Sequence, residues 1–364
     1  MLRGVIAVLM AGHGLLHLIG FAKGIGAAAM PQLTQPVSRT AGWMWLLVAV
    51  LFLAAAALWL LRREAWWMVA VPAVAISQVL LATAWGDAKV GTVANVVILV
   101  VAVVAAGSCH FDRRVQRERA VLIAAAVDRA GPVKRAPSAN LPAAVRRWFE
   151  RSGGGGQPVP RLARVRQRGV MRTEPNGKWL PFEADQLVSL FEPGFIWNAR
   201  IDAAPLIHIA GRDKYVNGRG SMLIKLLSLF PIADARGVEI DQGALVRFLA
   251  ELSWFPAAAR SEYLEWEEID AMAARATITV EGLSVSGVFR FNAAGDVTSF
   301  EARRFYVSRE GASLEDWFVS MIGWKELAGV RVPHQSEVMW KLKGGDYQWL
   351  KLEITAIEYD PPPR

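Results

Sequence analysis

Four apolar runs in the first 107 residues constrain this chain more than any other feature. They cover roughly 4–22, 43–61, 65–85 and 90–107, each close to the ~20 residues a helix needs to cross a bilayer. Backbone amides in hydrocarbon must find partners within their own segment, so such runs are expected as spanning helices. A transmembrane domain of four helices over 1–107 follows. Hydrophobic residues make up 53% of the chain, and the excess sits in this region. A cleavable leader competes for the first run, because Arg3 precedes it and "GIGAAAM" resembles a cleavage site. The length of the run and its two histidines favour a retained helix.

Basic flanks set the expected orientation. With the N-terminus inside, the cytoplasmic face collects Arg3, Arg62, Arg63, Arg113, Arg114, Arg117 and Arg119, against Lys23, Arg39 and Lys89 outside. The chain is thus expected to be a multi-pass protein of a cell inner membrane, with its C-terminal domain in the cytoplasm. The net charge of +8 is scattered along juxtamembrane stretches and strands. No nucleic-acid partner is expected from that pattern, and membrane lipids are the expected neighbours. The one cysteine, Cys109, excludes an intrachain disulfide and a cysteine-rich metal site.

Residues 108–160 read as a basic juxtamembrane helix and linker. "RRVQRERAVLIAAAVDRA" continues the fourth run as an amphipathic helix, and "GPVKRAPSANLP" breaks it. A short helix, "AAVRRWFERS", follows, with Asn140 as candidate cap and Pro142 at an early position, and Gly153–Gly156 form a hinge. From 161 to 364 the period changes to two. "FIWNARI" aligns Phe195, Trp197, Ala199 and Ile201, and "LSVSGVFRF" aligns Leu283, Val285, Gly287, Phe289 and Phe291. Further strands are predicted near 162–172, 179–191, 204–213, 273–281, 297–307, 330–342 and 347–359. The turn signals "EPNGK", "NAAGD" and "KGGD" fall between strands, so the pairing is antiparallel. Two helices are predicted, "SMLIKLLSLF" and "DQGALVRFLAELSWFP", the second capped by Asp241 and stopped by Pro256. The expected fold is an α+β membrane protein in which four transmembrane helices precede a curled antiparallel sheet, or partial barrel, with one or two helices in its concavity.

The strings "HGLLHLIGFAKG", "WGDAKVGTVANVVIL", "GRDKYVNGRGSMLIKLLSLFPI", "RFLAELSWFP" and "PHQSEVMWKLKGGDYQWLKLEIT" resemble a bacterial membrane-protein family classified as a domain of unknown function. That resemblance implies a membrane location and carries no site residues with it. More remotely, the strand-rich half is similar to the lipoprotein-carrier fold of bacterial envelopes, an unclosed antiparallel barrel that binds acyl chains. This similarity of architecture implies an apolar cavity and supplies no motif.

His13 and His17 share one helix face inside the first run. Ionisable groups in a membrane are costly, so haem or metal ligation and a proton relay are weighed for them. Ser77, Gln78, Asp87, Lys89 and Asn95 are the other polar residues within or near the runs. The blander alternative is hydrogen bonding of the imidazoles to Gln78 or Asn95 across a helix interface, with Gly12, Gly14 and Gly20 letting backbones approach. Asp87 and Lys89 frame a turn and read as interfacial anchors. In the second half, "NGRGSMLIK" lacks the lysine of a phosphate loop and reads as a sharp turn into a helix. His208 and His334 have no cysteine to join them, so catalysis or zinc binding by either is not expected. The cluster of Arg212, Asp213, Arg219, Arg247 and Glu251 is richer. Arg247 and Glu251, one helical turn apart, suit an ion pair, and facing the concavity with Arg212 and Arg219 they could receive an anionic headgroup. Phe195, Trp197, Phe289 and Phe291 are candidate cavity aromatics. The leading expectation is a membrane-anchored binding protein for a lipid or other hydrophobic molecule, without catalysis or cofactor. Two alternatives stand beside it: a redox or transport component using His13 and His17, and a lipid-modifying enzyme whose carboxylates would face the arginines in one pocket.

Overall fold

Length and apolarity decide the first unit, Met1–Asp112. A computed structural model describes residues 2–27, 30, 33–128, 137, 140–154, 159–308 and 311–361. The apolar runs form α1 (Leu2–Gly24), α2 (Arg39–Leu60), α3 (Trp66–Thr83) and the first half of α5 (Gly91–Asp128), with the single turn α4 (Trp85–Ala88) before α5. All four long helices are apolar enough to cross a membrane. Ser38 caps α2 by accepting a hydrogen bond from the Ala41 amide at 3.2 Å. α1 and α2 approach at glycines: a Cβ on Gly24 would lie 2.5 Å from the Gly42 Cα, and one on Gly14 3.1 Å from the Ala49 carbonyl. Gly20 meets the Trp45 ring in the same seam. Gly12, expected to share in this approach, takes no part, because nothing lies within 4 Å of its Cβ position.

The second unit is Arg113–Arg364. The basic stretch after the fourth span is helical to Asp128, as its pattern predicts. α6 (Ala143–Arg151) starts at Pro142, which is its N-cap and has no capping side chain, so Asn140 does not cap it. Most of "GPVKRAPSANLP", and Gly155 and Gly156 of the expected hinge, lie outside the described residues.

The strands are β1 (Leu162–Met171), β2 (Leu180–Ser189), β3 (Gly194–Ala204), β4 (Ile207–Val216), β5 (Arg219–Leu226), β6 (Phe230–Ala235), β7 (Leu264–Asp270), β8 (Ala273–Val280), β9 (Leu283–Phe291), β10 (Val297–Ser308), β11 (Gly311–Leu327), β12 (Val330–Leu342) and β13 (Gly345–Tyr359). They form one 13-stranded antiparallel sheet, a curled half-barrel in the order β6-β5-β4-β3-β2-β1-β13-β12-β11-β10-β9-β8-β7. All strands consecutive in sequence are paired except β6 and β7, which form the two open edges. At the centre β1 meets β13, from Ala163 opposite Tyr359 to Met171 opposite Leu350. The free edges, β6 and β7, are joined by α7 (Val238–Glu251) and two 3-10 turns, Leu252–Trp254 and Pro256–Arg260. α7 packs against β4 and β5 of one wing and β9 and β10 of the other, and so crosses the concave face. Leu245, Phe248, Leu249 and Leu252 are buried there, as their spacing predicts.

Two further expectations need correction. "SMLIKLLSLF" is no helix: its first six residues lie in β5, and its last, Phe230, opens β6. Asn217 and Gly218 before it have φ of 52° and 73°, the pair of left-handed residues that a tight I′ hairpin needs. That turn sends the chain back along β4, and the ladder overrides the helix-like composition. Gly220 is required within β5 because a Cβ would lie 2.6 Å from the Ile240 carbonyl on the crossing helix. Asp241 does not cap α7, whose N-cap is Gly237 at φ 121°. Its carboxylate accepts instead from the Gly220 amide at 2.6 Å and from Arg219 at 3.1 Å.

Candidate functional site

Where α7 crosses the half-barrel, packing is incomplete, and a cavity of about 180 Å³ remains between helix and sheet. The helix presents Arg247, Ala250 and Glu251 to it, positions that share one face at helical spacing. On the sheet side the lining alternates along β11, as a pleat requires. β11 contributes Trp317, Val319 and Met321, and β13 contributes Leu350 and Leu352. β3 supplies Trp197 and Ile201, with Phe182 beside them from β2. The surface is thus largely apolar and aromatic, broken by a few charged groups.

Those groups form a network centred on Arg247. Its Nε donates to Glu251 at 2.7 Å, and its Nη1 donates to Asp213 at 2.8 Å. Glu251 also accepts from Gln186 at 2.6 Å, Gln167 donates to Gln186 at 3.1 Å, and the Trp197 indole donates to Gln167 at 2.9 Å. The guanidinium lies 4.9 Å from the centroid of Phe195 and 5.0 Å from that of Trp197. Burial alone would lower the Arg247 pKa, but Glu251 and Asp213 outweigh it and hold the group above its ordinary value.

The two other arginines at the cavity are placed differently. Arg212 lies in β4 between Gly211 and Asp213. Its guanidinium is held by the carbonyl and hydroxyl of Ser221 at 3.0 and 2.6 Å and pairs with Glu118 of α5 at 3.2 Å. Burial lowers its pKa. Arg304, from β10, donates through Nε to the Gly243 carbonyl at 2.9 Å and stacks on Trp317 and Trp340, 4.8 and 5.4 Å from their centroids. It has no carboxylate within salt-bridge distance among the described residues. Burial is the first cause that pushes its pKa down to about 10, and Arg247 adds to that effect.

Of the eight candidate ligand-binding residues, Trp197, Arg212, Arg247 and Glu251 line the cavity. Phe195, Phe289 and Phe291 are core residues: Phe289 stacks between Trp266 and Phe300, and Phe291 against Trp148. Arg219 is 81% exposed at the hairpin end and pairs with Asp241. Sequence reasoning missed Gln167, Gln186 and Arg304. Gln167 and Gln186 fall on the buried faces of β1 and β2, a signal that period-two alternation contained. Arg304 follows Arg303 in a mixed strand and carried no local signal. His208 donates to or accepts from Ser228 at 2.9 Å, and burial lowers its pKa. It anchors the β5–β6 turn, away from the cavity.

In the helical unit four of the five polar candidates meet or adjoin. His13 Nε2 is 2.9 Å from Asn95 Oδ1, and His17 Nε2 is 2.9 Å from the Ser77 hydroxyl. Asn95 donates to Ser77 at 3.0 Å and to Gln78 at 3.1 Å. Asp87 lies apart and accepts from the Gln35 amide at 2.9 Å and from Thr34 at 2.8 Å; these bonds, the amide first, lower its pKa. A second cavity, of about 370 Å³, is lined by His13, His17, Lys23 and Asp87. No group of three or more His, Cys, Asp or Glu placed to hold a metal occurs among the described residues.

Residues 139–359 match the family described as "Family of unknown function (DUF6920)", and the chain belongs to it. No curated protein matches. Among solved structures the chain is similar to a domain described as outer membrane lipoprotein-sorting from Vibrio parahaemolyticus, at 10% identity and TM-score 0.32, covering 62% of this chain and 94% of that one. A LolA superfamily protein from Nitrosomonas europaea is similar at 11% identity and TM-score 0.35, covering 60% and 94%. A DUF1329 family protein from Desulfovibrio piger is similar at 10% identity and TM-score 0.34, covering 64% and 95%.

Proposed function

We propose that this member of the DUF6920 family is a membrane-anchored binding protein that holds one apolar or amphiphilic molecule beneath α7. The observation that carries the reading is the cavity itself: aromatic and aliphatic walls on a half-barrel, covered by a helix whose charged groups are mutually paired. A concave, largely apolar site with a few fixed polar groups is how proteins bind small hydrophobic ligands. The asymmetry of basic flanks supports an inner-membrane location with the sheet unit on the cytoplasmic side.

A second reading, lipid modification, is favoured by one observation. Asp213 and Glu251 line the same cavity as the arginines. Both Glu251 oxygens are already taken, by Arg247 and Gln186, which leaves Asp213 as the candidate base. Activity lost in Asp213→Asn while the ligand still binds would support that reading.

Native mass spectrometry of the full-length protein released from detergent tests the binding reading. Gly211 borders the cavity, and a Cβ there would meet Trp197 at 3.5 Å and Ile201 at 3.8 Å, ordinary contacts. Gly211→Leu should therefore fold and fill the space. One bound molecule in the unmodified protein, lost in Gly211→Leu, is the expected result. An unmodified protein with no bound molecule, or one retained equally in the variant, overturns the reading.

A further inference from the structure

The cavity holds more donors than acceptors. Arginine and the tryptophan indole can only donate, and the described residues leave several such groups unanswered. Arg304 has one hydrogen bond, from Nε to Gly243, and no carboxylate partner. The indole nitrogens of Trp254, Trp317 and Trp349, which all line the cavity, are buried and have no acceptor. The carboxylates nearby do not serve these groups: Asp213 and Glu251 pair with Arg247, and neither accepts from Arg304 or from these indoles among the described residues.

We propose that the ligand held in this cavity carries a terminal anionic group, a carboxylate or phosphate monoester on an apolar chain, and that Arg304 receives it. The inference rests on the binding reading above and specifies the ligand's charge. Arg304 is suited to the task in three ways. Its pKa, lowered to about 10, still leaves it cationic at neutral pH. Trp317 and Trp340 hold the plane of the guanidinium, while the Nε bond to Gly243 fixes its direction and leaves both terminal nitrogens for a forked contact. The neighbouring Arg247 network sets one cation against two carboxylates, a net charge of −1, so Arg304 is balanced only through space, and its terminal nitrogens are the cationic donors at the cavity with no carboxylate in contact. Arg212, Arg219 and Arg247, the arginines that sequence alone suggests, are occupied by Glu118, Asp241 and the Asp213–Glu251 pair. The anion site therefore moves to the opposite wing of the sheet.

The test uses full-length protein in lipid nanodiscs and three diazirine photoprobes of equal chain length: a fatty acid, an alkyl phosphate and the fatty alcohol. Peptide mass spectrometry separates labelling of cavity peptides from labelling of the spanning helices. A charge-assisted contact predicts that at least one anionic probe labels cavity peptides about tenfold more than the alcohol does. Arg304→Gln should bring that ratio close to one while alcohol labelling stays unchanged, and Arg304→Lys should keep most of the preference. Whichever anionic probe labels more strongly identifies the headgroup. Equal labelling by all three probes in the unmodified protein overturns the anion proposal and leaves the binding reading standing. A preference that survives Arg304→Gln overturns the assignment to Arg304. Cavity peptides that no probe labels overturn the binding reading and this proposal with it. A thermal melt of each variant shows whether it is folded.

Discussion

Replacing Arg247 by methionine should destabilise the sheet unit through uncompensated charge. The guanidinium is the only cation within salt-bridge distance of Asp213 and Glu251 among the described residues, at 2.8 and 2.7 Å. The three side chains are 16%, 25% and 10% exposed, so solvent screens them only in part. Methionine keeps most of the apolar volume against Phe195 and Trp197 and removes the charge. Breaking a buried pair from one side costs about 3–5 kcal/mol, and the nearby charge of Arg304 places the expected loss near the lower end. At roughly 2–4 °C per kcal/mol for a unit of this size, the melting temperature should fall by about 6–12 °C. Intrinsic tryptophan fluorescence of the full-length protein in detergent follows the transition. Arg247→Met combined with Asp213→Leu and Glu251→Met removes all three charges and should recover at least half of the loss. A fall of less than about 2 °C in the single variant would show that the network does not hold α7 to the sheet. A triple variant as unstable as the single one would assign the loss to packing.

Two further outcomes follow from other parts of the second unit. Gly287→Ala drives a Cβ into the ring of Phe300, which is fully buried between Phe289 and Trp317. The expected cost is about 1–3 kcal/mol by urea unfolding, relieved by Phe300→Leu in the same chain; no relief would mean that the ring is not the obstacle. Burial raises the Asp296 carboxyl, but the bidentate bonds from Arg331, at 2.8 and 3.2 Å, together with Asn292 and Arg151, outweigh it and leave the pKa below the ordinary carboxylate value. A depressed folded pKa stabilises above the unfolded value of about 3.9 and is lost as pH falls through the folded one. Asp296→Asn should therefore lower the urea midpoint at pH 7, and the gap to the unmodified protein should shrink between pH 5 and pH 3; a constant gap would contradict the assignment.

Local pattern made the four spans, the second helix and most of the strands readable, because period and length are properties of short windows. β5 was misread because its leucines and lysine suit either state, and only the pairing with β4 imposed by Asn217 and Gly218 decides between them. β11, at 17 residues, escapes the pattern because its first five residues carry no buried apolar side chain and Glu315 falls on the same face as Trp317, Val319 and Met321, breaking the alternation. The site was less legible than the fold. Trp197, Arg247 and Glu251 reach the cavity because they lie on faces that sequence could identify. Arg304 reaches it through the curl of the sheet, which brings β10 near β4 across α7. Phe289 and Phe291 lie on the buried face of β9 as expected, but helix and neighbouring strands cover that part of the face, so burial there means core and not cavity.

Why the half-barrel stays open follows from its edges. β6 has six residues with Pro231 among them, and its pairing with β5 shifts register at Lys225 opposite that proline. β7 has seven residues, carries Glu265, Glu267, Glu268 and Asp270, and also shifts register near its end. Short, irregular, acidic or proline-bearing edges resist pairing with each other and with other chains. The connection between such edges must then close the concave side, and α7 does so with polar bonds to both wings. Asp241 binds the Gly220 amide of β5, while Gln242 binds the Arg303 carbonyl and the Phe305 amide of β10. These bonds fix the first turn of the helix across the opening. Further along, Leu245, Phe248 and Leu249 complete the core, whereas Arg247, Ala250 and Glu251 face the remaining space. One helix thus both sets the distance between the wings and roofs the cavity. Substitutions on its 247/250/251 face should change what binds, and those on its 245/248/249 face whether the unit folds.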